Sequence, residues 1–280
     1  MKIIHTVSAL NLALQPVRCK GDSIGFVPTM GALHQGHATL IRQSIAENDC
    51  TVVSLFVNPT QFNNSEDLRL YPRTPEEDQQ MMRELGVNLL FVPSVEEVYP
   101  EPDRRVFDFG MLDKVMEGRF RPGHFNGVAQ VVSRLFSFVQ PDRAYFGEKD
   151  FQQLAIVREM TYRLQIPVEI VGVPIVREPS GLAMSSRNQR LTPQERVHAS
   201  QIYHVLNNSR VRRGMYAPAA LAEQVVDEIN KVPGLHVEYY EIVDGYTLQP
   251  LSTWEESDYP VGCVAVYCGA VRLIDNISYK

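Results

Sequence analysis

Cysteine is scarce in this 280-residue chain. Cys19, Cys50, Cys263 and Cys268 are the whole set, and no two of them have the CxxC spacing of a zinc or redox site. Reduced thiols packed as small apolar side chains are expected. Cys263 and Cys268 share one apolar stretch, but their odd separation sends them to opposite faces of a strand, which makes them a poor pair. Positive charge is also short. With 27 Lys and Arg against 33 Asp and Glu, the net charge is -6, and nothing draws the chain as a whole to nucleic acid or to an anionic membrane. Any phosphate chemistry must rest on locally placed cations. Long apolar runs are missing: the most apolar late stretch, residues 261–274, is too short to cross a bilayer and contains Arg272. The opening MKIIHTVSAL lacks the apolar core and small-residue cleavage site of a secretory signal, so a cytoplasmic location is expected. There is no internal repeat, low-complexity tract or run of like charge.

What is present suffices for a packed core, with 44% hydrophobic and 21% charged residues. Short apolar runs alternate with longer amphipathic stretches through about residue 175, the pattern of parallel strands joined by crossover helices. Strands are expected at residues 23–28, 51–58, 88–93, 143–146 and 168–176, and helices at 38–47, 75–85, 128–139 and 151–164. The fold class that follows is α/β, a Rossmann-like doubly wound parallel sheet over residues 1–176. The alternation stops at the polar segment REPSGLAMSSRNQR. Thr192, Pro193 and Glu195 then spell a capping box that starts a helix. Residues 177–280 read as a smaller α+β domain, with helices at 193–213 and 218–231 and strands at 237–243 and 263–274.

Four segments carry candidate chemistry. Phe26-Val27-Pro28-Thr29-Met30-Gly31-Ala32-Leu33-His34-Gln35-Gly36-His37 reads as a strand, a tight turn and a helix start. That places free helix N–H groups at the carboxyl edge of the sheet, where anions bind. Two imidazoles three residues apart can reach one triphosphate and stabilise charge developing at its α-phosphate. The helical zinc motif HExxH would need a glutamate where Gln35 stands, so phosphate is favoured over metal. The second segment, Gly147-Glu148-Lys149-Asp150 followed by Phe151-Gln152-Gln153, repeats the strand-turn-helix arrangement, with Lys149 as a mobile point charge. Met184-Ser185-Ser186-Arg187 supplies two hydroxyls and a guanidinium, on what reads as a flexible loop able to close over phosphates. In the fourth, after the second strand, Gln61 offers a neutral amide that can hold a carboxylate nucleophile without neutralising it. Without a Walker A sequence, this set describes α-phosphate chemistry better than γ-phosphate transfer.

PTMGALHQGH, SLFVNPTQFN, EDLRLYPRTPEED, EGRFRPGHFNGV, FGEKDFQQL, VGVPIVREPSGLAMSSRN and RLIDN together resemble the pantothenate synthetase family from about Phe26 to Asn276. HxGH alone would indicate only the wider nucleotidyltransferase superfamily, so an enzyme of that superfamily acting on another small substrate is the alternative. The resemblance implies condensation of pantoate with β-alanine, driven by ATP cleavage to AMP and diphosphate with Mg²⁺ present. It implies nucleotide contacts at Met30, Gly31, Ala32, Leu33, His34, Gln35, Gly36, His37, Gly147, Glu148, Lys149, Asp150, Val176, Met184, Ser185, Ser186 and Arg187. His37, His34, Lys149 and Arg187 would be catalytic, with His37 in the acid role. Gln61 and Gln153 would hold pantoate, Gln61 also meeting β-alanine. The family likeness further implies a homodimer with a smaller C-terminal lid.

Overall fold

In a computed structural model of the chain, which describes residues 1–63 and 65–280, contacts divide the residues into two compact units. One comprises Met1–Phe109, Arg121–Glu148 and Gln153–Pro174; the other comprises Gly110–Phe120, Lys149–Gln152 and Ile175–Lys280. The sequence suggested a single cut after Val176, whereas the chain passes between the units several times.

The first unit is a six-stranded parallel sheet with helices. Its strands are β1 (Lys2–Ile4), β2 (Ile24–Thr29), β3 (Cys50–Leu55), β4 (Leu89–Phe91), β5 (Arg143–Gly147) and β6 (Glu169–Val173), in the order β1-β4-β3-β2-β5-β6. Between them run α1 (Val7–Lys20), α2 (Gln35–Glu47), α3 (Ser65–Arg69), α4 (Pro75–Leu85), α5 (Val95–Val98), α7 (His124–Val139) and α8 (Phe151–Arg163). β2 and β3 are buried along nearly their whole length because helices cover both faces, which is why they read as continuous apolar runs rather than as alternation. From β2 the chain winds outward through β3 and β4 in one direction and, after α7, through β5 and β6 in the other. β2 and β5 are therefore adjacent, and the crevice beyond their carboxyl ends is the switch point where open α/β sheets bind ligands.

Two elements of this unit depart from expectation. The apolar patterning of residues 1–22 marks no strand, yet β1 forms there ahead of α1. Thr6 caps α1 by accepting from the Ala9 N–H, and Gly21 closes it in the left-handed region at φ 76°. Helix α7 begins at His124 rather than at 128. Gly127 lies inside this helix as a point of close approach.

The second unit holds an antiparallel sheet, β7 (Leu235–Asp244), β8 (Pro260–Cys268) and β9 (Val271–Ser278), with β8 central, together with α6 (Met116–Phe120), α9 (Pro193–Ser209) and α10 (Pro218–Asn230). Leu206, Leu221, Val225, Ile229, Val264 and Val266 lie in its core. The capping box forms as the sequence spells it: Glu195 N–H donates to Thr192 Oγ1 at 3.2 Å and Thr192 N–H to Glu195 Oε2 at 2.8 Å, a cap worth about 1 kcal/mol. Residues 263–274 are not one continuous strand but parts of a hairpin. Both strands are apolar, so the hydrophobic pattern runs unbroken through the turn, marked only by Gly269 at φ 54°. A side chain at Gly269 would also meet Glu195 Oε1.

A buried ionic cluster ties α6 to the sheet of this unit. Arg272 donates to both Glu117 oxygens at 2.6 and 2.9 Å and to Glu238, and the Tyr239 hydroxyl donates to Glu117 at 2.8 Å. Burial, reinforced by the Glu117 charge, pushes the Tyr239 phenol well above its usual range and keeps it a donor. All four cysteines are free, and Cys263 and Cys268 are both buried because β8 is covered on both faces. No described helix is long and apolar enough to cross a membrane.

Candidate active site

At the end of β2 the chain turns through two left-handed residues, Gly31 at φ 86° and Ala32 at φ 49°. The second is strained for a residue with a Cβ and persists only where its surroundings over-determine it. Asp78 on α4, 3% exposed, supplies that constraint: its two oxygens accept from the Ala32 and Leu33 N–H groups at 2.9 and 2.7 Å, and Thr74 Oγ1 donates to it at 3.1 Å. Thr29 Oγ1, anchored on the Ser54 carbonyl at 2.7 Å, takes the Gly31 N–H at 3.4 Å.

His34 then caps α2. Its Nδ1 accepts from the Gly36 N–H at 3.1 Å, while His37 Nδ1 accepts from the His34 N–H at 3.3 Å. The rings lie 4.1 Å apart, tilted by 42°. An accepting Nδ1 carries no proton, so each neutral ring has its proton on Nε2 and becomes a donor there. The N–H groups of Ala32, Leu33, His34 and Gly36 are already engaged by protein acceptors. Gln35 is exposed and lines a groove with Ala38, Arg42, Glu76, Glu77 and Gln80, which accounts for its side chain.

A second constellation of the same unit surrounds Gln61. Asn58, fully buried, donates to the Gly127 carbonyl at 3.2 Å and accepts from Thr60 and from the Tyr99 hydroxyl. Gly127 lets α7 approach so closely that a Cβ there would sit 2.5 Å from the Thr60 carbonyl oxygen and 2.9 Å from Gln61 Cα. The Gln61 carbonyl accepts from His124 Nδ1 at 2.8 Å and Arg121 Nη2 at 3.4 Å, and its amide Nε2 reaches Met30 Sδ at 2.8 Å. The structure thus brings together Met30 and Gln61, which the sequence presented in separate segments. It adds Asp78, Asn58 and His124, none of which sequence reasoning singled out.

The GEKD turn is divided. Gly147 and Glu148 belong to the first unit, with the Glu148 N–H on the Val173 carbonyl at 2.9 Å, while Lys149 and Asp150 belong to the second, where Lys149 Nζ lies 3.3 Å from Asp150 Oδ2. Of the two glutamines that follow, Gln152 is fully occupied by main-chain groups of Leu112, Val115 and Glu117. Gln153, half-buried in the first unit, has no side-chain hydrogen bond among the described residues. In the second unit Val176 and Met184 are joined by a 3.0 Å main-chain bond, and Arg177 pairs with Ala183, so the polar segment is a tied hairpin rather than a bare linker. Ser185 Oγ accepts from the Arg187 N–H at 3.2 Å, and Ser186 is buried.

The family model described as Pantoate-beta-alanine ligase matches residues 2–278. A pantothenate synthetase of Bacteroides thetaiotaomicron is 56% identical over all of this chain and 99% of its own length, and that of Porphyromonas gingivalis is 55% identical over the whole of both. Among solved structures, the pantothenate synthetase of Thermus thermophilus covers both chains fully at 46% identity with a TM-score of 0.93. A pantoate-beta-alanine ligase from Francisella tularensis, solved with Beta-gamma ATP and beta-alanine, is 35% identical with a TM-score of 0.85 over all of this chain and 98% of its own. With sheet order, switch-point turns and full-length similarity in agreement, the chain belongs to the pantoate-beta-alanine ligase family and is an enzyme of that class.

Proposed function

We propose that the enzyme joins (R)-pantoate to β-alanine by way of a pantoyl adenylate. A pantoate carboxylate oxygen attacks the α-phosphorus of ATP, the bond to the bridging oxygen breaks and diphosphate leaves. The β-alanine amine then attacks the acyl carbon, the acyl–oxygen bond breaks, AMP leaves and the amine gives up a proton. Pantoate is itself the nucleophile, so no side chain need serve as one. The observation that carries this reading is the meeting of Met30 and Gln61 at the strand end that bears His34 and His37. Neutral amides suit a carboxylate that must stay nucleophilic, and ring N–H donors suit a phosphate gathering charge. The Francisella relative solved with Beta-gamma ATP and beta-alanine supports two of these substrates, the nucleotide and β-alanine.

In this reading Met30, Gly31, Ala32, Leu33, His34, Gln35, Gly36 and His37 attend the nucleotide, as do Gly147, Glu148, Lys149, Asp150, Val176, Met184, Ser185, Ser186 and Arg187. Lys149 and Arg187 offset phosphate charge, and Gln61 and Gln153 hold pantoate. Among the described residues no group of three or more His, Cys, Asp or Glu is placed to grip a metal. Bound with the nucleotide, Mg²⁺ would supply further charge compensation on the phosphates. A cytoplasmic setting fits the four free cysteines. A homodimer is expected, and sedimentation equilibrium giving the single-chain mass would remove it.

Diphosphate should appear with ATP and pantoate alone, and AMP in step with it once β-alanine is added. ADP and phosphate in their place, or AMP without pantoate, overturns the reading. Gly127→Ala, which forces main-chain movement at Thr60 and Gln61, should raise the pantoate KM about tenfold or more and leave the ATP KM nearly unchanged. Steady-state kinetics with each substrate varied in turn checks this, and equal changes in both constants would detach Gln61 from pantoate.

A further inference from the structure

β9 carries two adjacent polar residues, Asp275 and Asn276, at 6% and 9% exposure. Burying such groups is costly unless each is hydrogen-bonded, so their partners indicate their purpose. Asp275 takes the Arg177 guanidinium as a fork, at 2.6 and 2.9 Å. Arg177 also donates to the Gly181 carbonyl at 3.2 Å and to the Asn276 carbonyl at 3.3 Å, and its guanidinium lies 4.0 Å over the Tyr203 ring. This fastens the base of the hairpin whose second arm runs through Ala183 into Met184, Ser185, Ser186 and Arg187. Asn276 makes the second attachment. Its Nδ2 donates to the Lys149 carbonyl at 3.2 Å, 127 residues away in sequence, while its own N–H is held by Asp275 Oδ1 at 2.7 Å. Burial pushes the Asp275 carboxyl up, and Arg177 and then Lys149 draw it back, which sets both cations in its field.

Stability alone does not call for this arrangement, because well-packed apolar residues in place of a buried ion pair are often neutral or stabilising. What the pair does that leucine cannot is fix the main chain of two distant segments, both expected to act on the nucleotide. We propose that Asp275 and Asn276 are positioning residues for the reaction, holding Lys149 and the Met184-Ser185-Ser186-Arg187 segment to one strand so that ammonium and guanidinium are presented at a set separation. This rests on Lys149 acting on the nucleotide.

The test is single-turnover diphosphate release from ATP and pantoate with the full chain. Asn276→Ala should slow it about tenfold, the worth of one good hydrogen bond, with the pantoate KM unchanged. Asn276→Asp keeps the shape but sets an acceptor against the Lys149 carbonyl, and should be no faster than Asn276→Ala. In a Lys149→Met background Asn276→Ala should cause no further loss, because no ammonium is left to position. The same fractional loss in both backgrounds would mark a merely structural role and overturn the proposal. A normal rate for Asn276→Ala beside a crippled Lys149→Met would overturn the positioning alone. A normal rate for Lys149→Met would remove the role of Lys149, and the proposal with it.

Discussion

Replacing His37 by alanine lowers pantoate-dependent diphosphate release about a thousandfold while pantoate binding and the melting transition stay close to those of the parent chain. The size follows from what the ring does. In the proposed role its Nε2–H donates to the phosphate, and removing one such donor from a developing oxyanion costs roughly 10²- to 10³-fold. The ring also accepts the His34 N–H at 3.3 Å and lies 4.1 Å from the His34 ring. Its loss therefore releases the second imidazole as well, which takes the effect to the upper end of that range. The fold should survive, since His37 is only half-buried and α2 keeps its apolar face of Ala38, Leu40 and Ile41. Rapid-quench measurement of diphosphate with calorimetric titration of pantoate checks both halves. Release within tenfold of the parent would remove His37 from the chemistry.

Asp78→Asn is the second large effect, and two physical terms predict opposite signs for it. By charge alone, removing a carboxylate from a turn proposed to receive a polyanion should tighten ATP binding. By geometry, the asparagine amide has one oxygen where the carboxylate has two. Its NH₂ must therefore face the Ala32 or Leu33 N–H, donor against donor, in a site only 3% exposed. A buried donor left unmade costs about 1–3 kcal/mol, and the left-handed Ala32 loses the contact that over-determines it. The turn then relaxes and carries His34 with it. Geometry should prevail, because a displacement of about 1 Å at a reacting centre is worth roughly a hundredfold in rate. The expected result is a fall of about that size in kcat for diphosphate release, without a gain in ATP affinity. An unchanged kcat with a lower ATP KM would show that charge outweighs position.

The sequence carried the α/β class, the alternation of strands and helices and the start of α9, because each rests on local signals: apolar runs between amphipathic stretches and a capping box at Thr192. It also marked residues 26–37 as a strand, a tight turn and a helix start. It could not show how that turn is held, since Asp78 lies 46 and 45 positions from the N–H groups it accepts and His124 lies 63 from the carbonyl it contacts. Nor could it show that β2 and β5 are neighbours, which only the sheet order reveals. The hairpin at Gly269 stayed hidden because two apolar strands joined by a tight turn look like one long strand. Composition likewise shows which main-chain donors exist but not which acceptors have already taken them, as at Ala32, Leu33, His34 and Gly36.

The ionic cluster of Glu117, Arg272, Glu238 and Tyr239 also bears on how the molecule is made. Glu117 and Arg272 are 155 positions apart, and a ribosome adds about 5–20 residues per second, so on the order of ten seconds or more separates the synthesis of one from the other. During that interval α6 has emerged but has no Arg272 to receive its carboxylate, and Tyr239 is made before the cluster can close. A nascent chain of this enzyme therefore cannot complete the Glu117 ion pair until Arg272 arrives, and the cluster closes by recruiting a segment made long before. A gene fragment beginning at residue 177 would never encode that segment, and Arg272 would be left with Glu238 as its only partner in the cluster.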